Sequence, residues 1–200
     1  EAKNLLVSTI ELNNLSSVNE FMWPNSVPKP SKGKPKDVNG CMVFDLLCMG
    51  GAYCFLHEIK HVMIKSKTST ITPHDEEMEC DAFAREFLLG NIDAFSKESG
   101  YDIEAVKAKR AMSIGLTALL LMVLTPNDQW FGSHTHPPIL DRIVALTDYL
   151  QMSRDNYFWS YFSSILLLII EHYSIEFSYP AISSQQQFCI FLLEKLNDRI

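Results

Sequence analysis

Hydrophobic and polar positions divide the chain into a short strand-like start, a polar break and a series of helical stretches. Residues 4–10 (NLLVSTI) are few and rich in β-branched types, and they predict a strand in a small N-terminal sheet. Residues 24–37 (PNSVPKPSKGKPKD) hold four prolines and four lysines among small residues. Such a stretch cannot be regular structure and predicts an exposed, flexible loop. From Asp37 the pattern turns helical. Residues 41–64 are apolar almost throughout until Glu58, Lys60 and His61, with Asp45 the exception, so this helix is predicted to be buried on most sides. A second helix starts with Thr72 as N-cap, Pro73 in the first position and acids in the first turn, and Gly90 stops it. Asp102 caps a long third helix that ends at 125–126, and Pro137-Pro138 opens a fourth to about residue 152. Two more follow at about 155–173 and 183–198. The expected fold is a single, mainly α domain over residues 1–200, α+β at most.

Composition narrows the class. The 200 residues are 47% hydrophobic and 20% charged, with 8 Gly and 9 Pro, which excludes collagen-like, low-complexity and wholly disordered chains. A net charge of −7 leaves no basic field for a nucleic-acid backbone. Five cysteines, an odd number and mostly within apolar stretches, read as buried free thiols in a reducing compartment, hence a cytoplasmic protein. The chain opens on Glu1, as a piece of something longer would, and no signal-peptide start is visible. Residues 111–127 and 156–170 are uncharged for seventeen and fifteen residues. Both fall short of a membrane span and predict core helices, so membrane contact is not expected. The dense apolar runs of the last two helices read first as core, with a partner or dimer surface as the sharper alternative.

The candidate chemistry centres on residues 57–61, HEIKH. Positions i and i+4 share a helix face, so His57 and His61 can aim ring nitrogens at one ion. Zn²⁺ favours imidazole and keeps an open position in catalytic sites. Glu58 is turned about 100° from His57, where it can reach a metal-bound water without ligating. In an apolar helix, each unpaired histidine would cost on the order of 1–3 kcal/mol, and a metal would satisfy both. A third ligand is available in residues 75–84, DEEMECDAFA. Glu77 and Asp81 lie four apart on one face, with Ala84 and Leu88 extending it. Glu77 would close a His₂Glu site, and Asp81 would accept the free N–H of a ligating histidine. Glu76 and Glu79 point elsewhere by the same geometry, and remain the alternatives for the third ligand. Further on, His136 precedes two prolines that hold the backbone extended and then start a helix. It is placed to stabilise an oxyanion, with His134 as the other candidate. Residues 128–131 (DQWF) are a candidate cleft wall, because an exposed loop Trp is unusual.

Three pieces together resemble the thermolysin-like Glu-zincin metallopeptidases: HExxH at 57–61, ExxxD at 77–81 and HPPxxxRI at 136–143. The last, with the ECDAFA run, is similar to the HtpX and CaaX-prenyl endopeptidase groups and to the phage-exclusion proteases of the Lit-like group. The resemblance covers about residues 53–150. It implies Zn²⁺ held by His57, His61 and Glu77, Glu58 as general base, Asp81 behind the ligands and His136 facing the scissile carbonyl. Glu77 follows His61 by only sixteen positions, a shorter spacing than in thermolysin, and the clear membrane spans of the HtpX group are missing. The short spacing requires a tight connecting loop, and the missing spans favour the Lit-like branch, which implies a cytoplasmic protease acting on a host protein in bacterial phage defence. The competing expectations are a metal-binding sensor module that is inactive without a partner, and an α-helical interaction domain with structural histidines.

Overall fold

The computed structural model describes residues 33–66 and 71–199, together with Val7, Glu11 and Ser17. Among them the structure is helical: α1 (Val38–Lys65), α2 (Pro73–Leu89), α3 (Ile92–Ser99), α4 (Ile103–Leu124), a 3₁₀ turn (Asn127–Gln129), α5 (Ile139–Leu150), α6 (Tyr157–His172) and α7 (Gln185–Arg199). Local chemistry sets the boundaries. Asp37 caps α1 through the Gly40 N–H, Thr72 caps α2 through that of Asp75, and Asp102 caps α4 through that of Ala105. Each satisfies a donor that the first helical turn leaves unpaired. Gly90 closes α2 as expected. Most of the strand expected at 4–10 lies outside the described residues, but Val7 is described and is helical. Most of the loop at 24–37 also lies outside them, and Gly33 to Asp37 has no regular structure. The short α3 was not anticipated.

α4 is the centre of the packing, touching α1, α2, α3, α5 and α6, while α7 rests on α6. Its residues Ala111 to Gly115 are all buried, as are Phe158, Trp159, Phe162 and Leu166 of α6 and Cys189, Leu192 and Leu196 of α7. The two uncharged runs are therefore core, as the sequence predicts. A Cβ on Gly50 of α1 would fall 2.3 Å from the Thr117 hydroxyl of α4, so the glycine sets how closely these helices approach.

The burial of α1 corrects the sequence reading. Only Leu46, Gly50, Tyr53, His57 and Ile64 are buried in its twenty-eight residues. Val43, Leu47, Phe55 and Val62 are 56–69% exposed. The apolar run supplies one face packed against the described helices and a second that none of the described residues buries. The thiols also need correction: all five cysteines are free, but only Cys80 and Cys189 are buried, while Cys48 is exposed.

Candidate functional site

The pairing of α1 with α2 brings HEIKH against the acidic face of the next helix. His57 and His61 turn their Nε2 atoms toward each other, 3.1 Å apart. Glu77 reaches the same point from α2, one carboxylate oxygen 3.4 Å from His57 Nε2 and the other 3.2 Å from His61 Nε2. The opposite ring nitrogens are held by acids. His57 Nδ1 lies 2.9 Å from Asp81 Oδ1, and His61 Nδ1 lies 2.7 Å from Glu76 Oε1. An Nδ1–H donated to a carboxylate sets the tautomer in which a neutral imidazole turns its Nε2 lone pair inward, the form that would bind a cation.

Glu76 therefore does not point elsewhere. It steadies His61 as Asp81 steadies His57, because the two histidine rings face different turns of α2. Glu79 does turn away, pairing with Lys60 at 2.6 Å.

Asp81 is the hub behind the histidines. Its carboxylate accepts from the Tyr53 hydroxyl at 2.9 Å and from Arg142 of α5 through Nε at 2.6 Å and Nη2 at 2.8 Å. Burial would raise this carboxyl, but Arg142 and His57 outweigh it and hold Asp81 well below the usual carboxylate range. The same balance acts on His57: burial disfavours its charge, yet the Asp81 and Glu77 carboxylates push it up to about 9. Glu77 is drawn down despite its burial by His57 and Arg142. Sequence reasoning missed Tyr53 and Arg142. Tyr53 stands one turn before His57 on its face. Arg142 interrupts the apolar stripe of Ile139, Ile143 and Leu146, where a cation needs a buried anion.

A cleft of about 570 Å³ opens over this cluster, lined by Glu58, Cys54, Pro73, Leu121, Thr135 and His136 together with the ligand-bearing faces. Glu58 is exposed on its wall. His136, 58% exposed at the side chain, brings Nε2 to 3.6 Å from Glu77 Oε1. His134 is not among the lining residues. Residues 128–131 do not line it either. Trp130 is buried at 5% exposure, its indole N–H donating to Met122 and Thr125 carbonyls, and with Phe131 it borders a separate cavity of about 300 Å³. That Trp is a loop anchor, not a cleft wall.

The donor set fits a tetrahedral cation. Ligand bonds of about 2.0–2.1 Å imply ligand–ligand separations of about 3.3–3.4 Å, close to the 3.1, 3.2 and 3.4 Å found here. Cys80, fully buried on α2, also brings its sulfur within 4.8 Å of donor atoms of His57 and His61. Burial, with Glu77, Glu76 and Asp81 nearby, pushes its thiol up to about 12. A bound cation would oppose that shift, because a coordinating thiol gives up its proton, so Cys80 stands beside Glu77 as a second donor.

A family model described as Peptidase U49 matches residues 1–162 of the chain. Comparison with curated proteins and with solved structures finds no match.

Proposed function

The chain belongs to the peptidase U49 family, and on that premise we propose that it is a zinc-dependent endopeptidase. One observation carries the reading. Two imidazoles, each braced at Nδ1 by a carboxylate, converge through Nε2 on the Glu77 carboxylate in the floor of a cleft. His57, His61 and Glu77 would hold the ion and leave its fourth position open to the cleft. Bound there, the ion would lower the pKa of water toward 7 and polarise a peptide carbonyl. Glu58, on the cleft wall, takes the proton from the attacking water at its carboxylate and returns it to the leaving amine. His136 Nε2 donates to the carbonyl oxygen as negative charge builds there. Asp81, fixed by Tyr53 and Arg142, keeps His57 in the tautomer that faces the ion. The likeness of the three motifs to the Lit-like group extends the proposal to cleavage of a host protein in bacterial phage defence. Five free cysteines support a cytoplasmic setting.

A second reading rests on Cys80. If its sulfur joins His57 and His61, the site closes over a structural ion and the domain is a metal-binding sensor. Cobalt substitution separates the two. The peptidase reading expects one Co²⁺ per chain with tetrahedral visible bands and no thiolate-to-metal charge transfer, unchanged by Cys80→Ala and lost in Glu77→Ala. A charge-transfer band that disappears in Cys80→Ala would establish the sensor site instead. Glu58→Gln is expected to keep the metal and lose about 10²–10⁴-fold or more in cleavage rate. Full proteolysis by that variant would end the assignment of Glu58.

A further inference from the structure

We propose that a second cleft, between α1, α3 and the start of α4, binds a small monoanionic amphiphile: a carboxylate carried on an apolar body. This cleft encloses about 840 Å³ and shares no residue with the one over His57. Its α1 wall includes Asp45, twelve residues and roughly 18 Å along the helix axis before His57. Its volume lies in the range of pockets that take small organic molecules.

The walls combine apolar surface with cations. Met49 and Val106 line it beside Phe95 and Tyr101, two aromatic rings that remain 42% and 66% exposed. The cations are Lys34, Lys109 and Arg110. Both lysines lean on one carboxylate, with Lys34 Nζ 2.7 Å and Lys109 Nζ 2.6 Å from the two oxygens of Asp45. The other acid, Asp102, is engaged in capping α4 through the Ala105 N–H at 2.8 Å. Arg110 donates from Nη1 to the Leu88 and Gly90 carbonyls and lies over the Phe95 ring at 5.2 Å. Its contacts are thus neutral ones.

Charge decides the ligand class. Among the described residues of its lining, three cations face two carboxylates, a balance of one positive charge in a chain whose net charge is −7. A single anionic group balances it. A nucleotide or other polyanion would instead meet Asp45 and Asp102 at close range. The aromatic and aliphatic walls then favour an apolar body over a sugar or an inorganic ion.

Cys48, an exposed thiol on the cleft wall, gives a local readout. Cys54, on the wall of the other cleft, is the internal control. The full chain is alkylated with a maleimide, and each cysteine is followed by peptide mass spectrometry with phenylbutyrate or its neutral amide present. Phenylbutyrate at about ten times its Kd is expected to slow Cys48 alkylation about tenfold, since only the free protein reacts. Cys54 should be unaffected, and the amide should protect little. Lys109→Glu should remove the protection, as should the milder Lys34→Gln, which alters only a surface lysine before α1. Equal protection by the amide, parallel protection of Cys54, or unchanged protection in both variants would overturn the proposal. So would an absence of protection at about 10 mM, where binding is too weak to be specific. Protection by anionic-lipid vesicles but not by the free acid would assign the cleft to a membrane surface, and equally refute the small-molecule site.

Discussion

The Asp81 carboxylate accepts hydrogen bonds from Tyr53, His57 and both faces of the Arg142 fork. An asparagine fills the same volume but cannot balance the guanidinium, which would be left buried without its anion. Asp81→Asn is therefore expected to lower unfolding free energy by about 3–5 kcal/mol, measured by urea titration. It should also weaken zinc binding roughly 10–100-fold, because His57 loses the partner that sets its tautomer. The acid limb of stability gives an independent check. The folded-state pKa of Asp81 lies below its unfolded value, so its contribution is complete above about pH 3.9 and is lost as pH falls toward the folded value. The variant should show a correspondingly shallower loss of stability below that pH. Asp81 was legible in the sequence because it lies four residues after Glu77 on one helix face. Arg142 was not, because the anion that justifies a cation in an apolar stripe comes from another helix.

The elements around the cleft depend on close backbone approach as much as on side chains. The sequence attributes the His136 platform to the two prolines that follow it, but the loop is also closed by Gly132 at φ 92°. A Cβ there would sit 2.9 Å from the His136 carbonyl oxygen and from Pro138 N. Ser133 N–H donates to that carbonyl at 2.8 Å, and Ile139 N–H to the Trp130 carbonyl at 3.1 Å, which ties the loop to α5. Gly132→Ala should cost about 1–3 kcal/mol of stability. By displacing His136, it should lower kcat for peptide cleavage while leaving metal content at one per chain. Loss of metal in this variant would mean that the loop supports the ligands themselves. α1 teaches a different lesson about elements. Its apolar content was read as burial, yet by length and composition the same helix would suffice to cross a membrane. Periodicity identifies a helix, whereas which of its faces are covered depends on its neighbours, and the described residues pack against one side of α1.

At the scale of the molecule, the proposed ion joins two helices whose other polar contacts, among the described residues, are the Asp81 and Glu76 braces, the Lys60–Glu79 pair and Lys60 over the Phe83 ring. Removing it should leave His57, His61 and Glu77 facing each other without a shared cation, and should loosen α1 from α2. A ligand at about a thousand times its Kd contributes about 4 kcal/mol, which for a chain of this size corresponds to roughly 8–16 °C in Tm. Chelation of the loaded protein is expected to lower Tm by that order, and Glu77→Ala should melt at the lower temperature with or without chelator. The sequence by itself determined the helical class, the caps that begin α2 and α4, and the pairing of His57 with His61 and of Glu77 with Asp81. All of these follow from interactions within a few residues along one helix, where geometry is set by the 3.6-residue turn. Only the tertiary structure decided that Glu76 braces His61, that Arg142 and Tyr53 converge on Asp81, that Trp130 is an anchor, and that one apolar face of α1 is not buried by the described residues. Each of those depends on how separate helices are rotated against one another, and that rotation is settled by packing across the whole core.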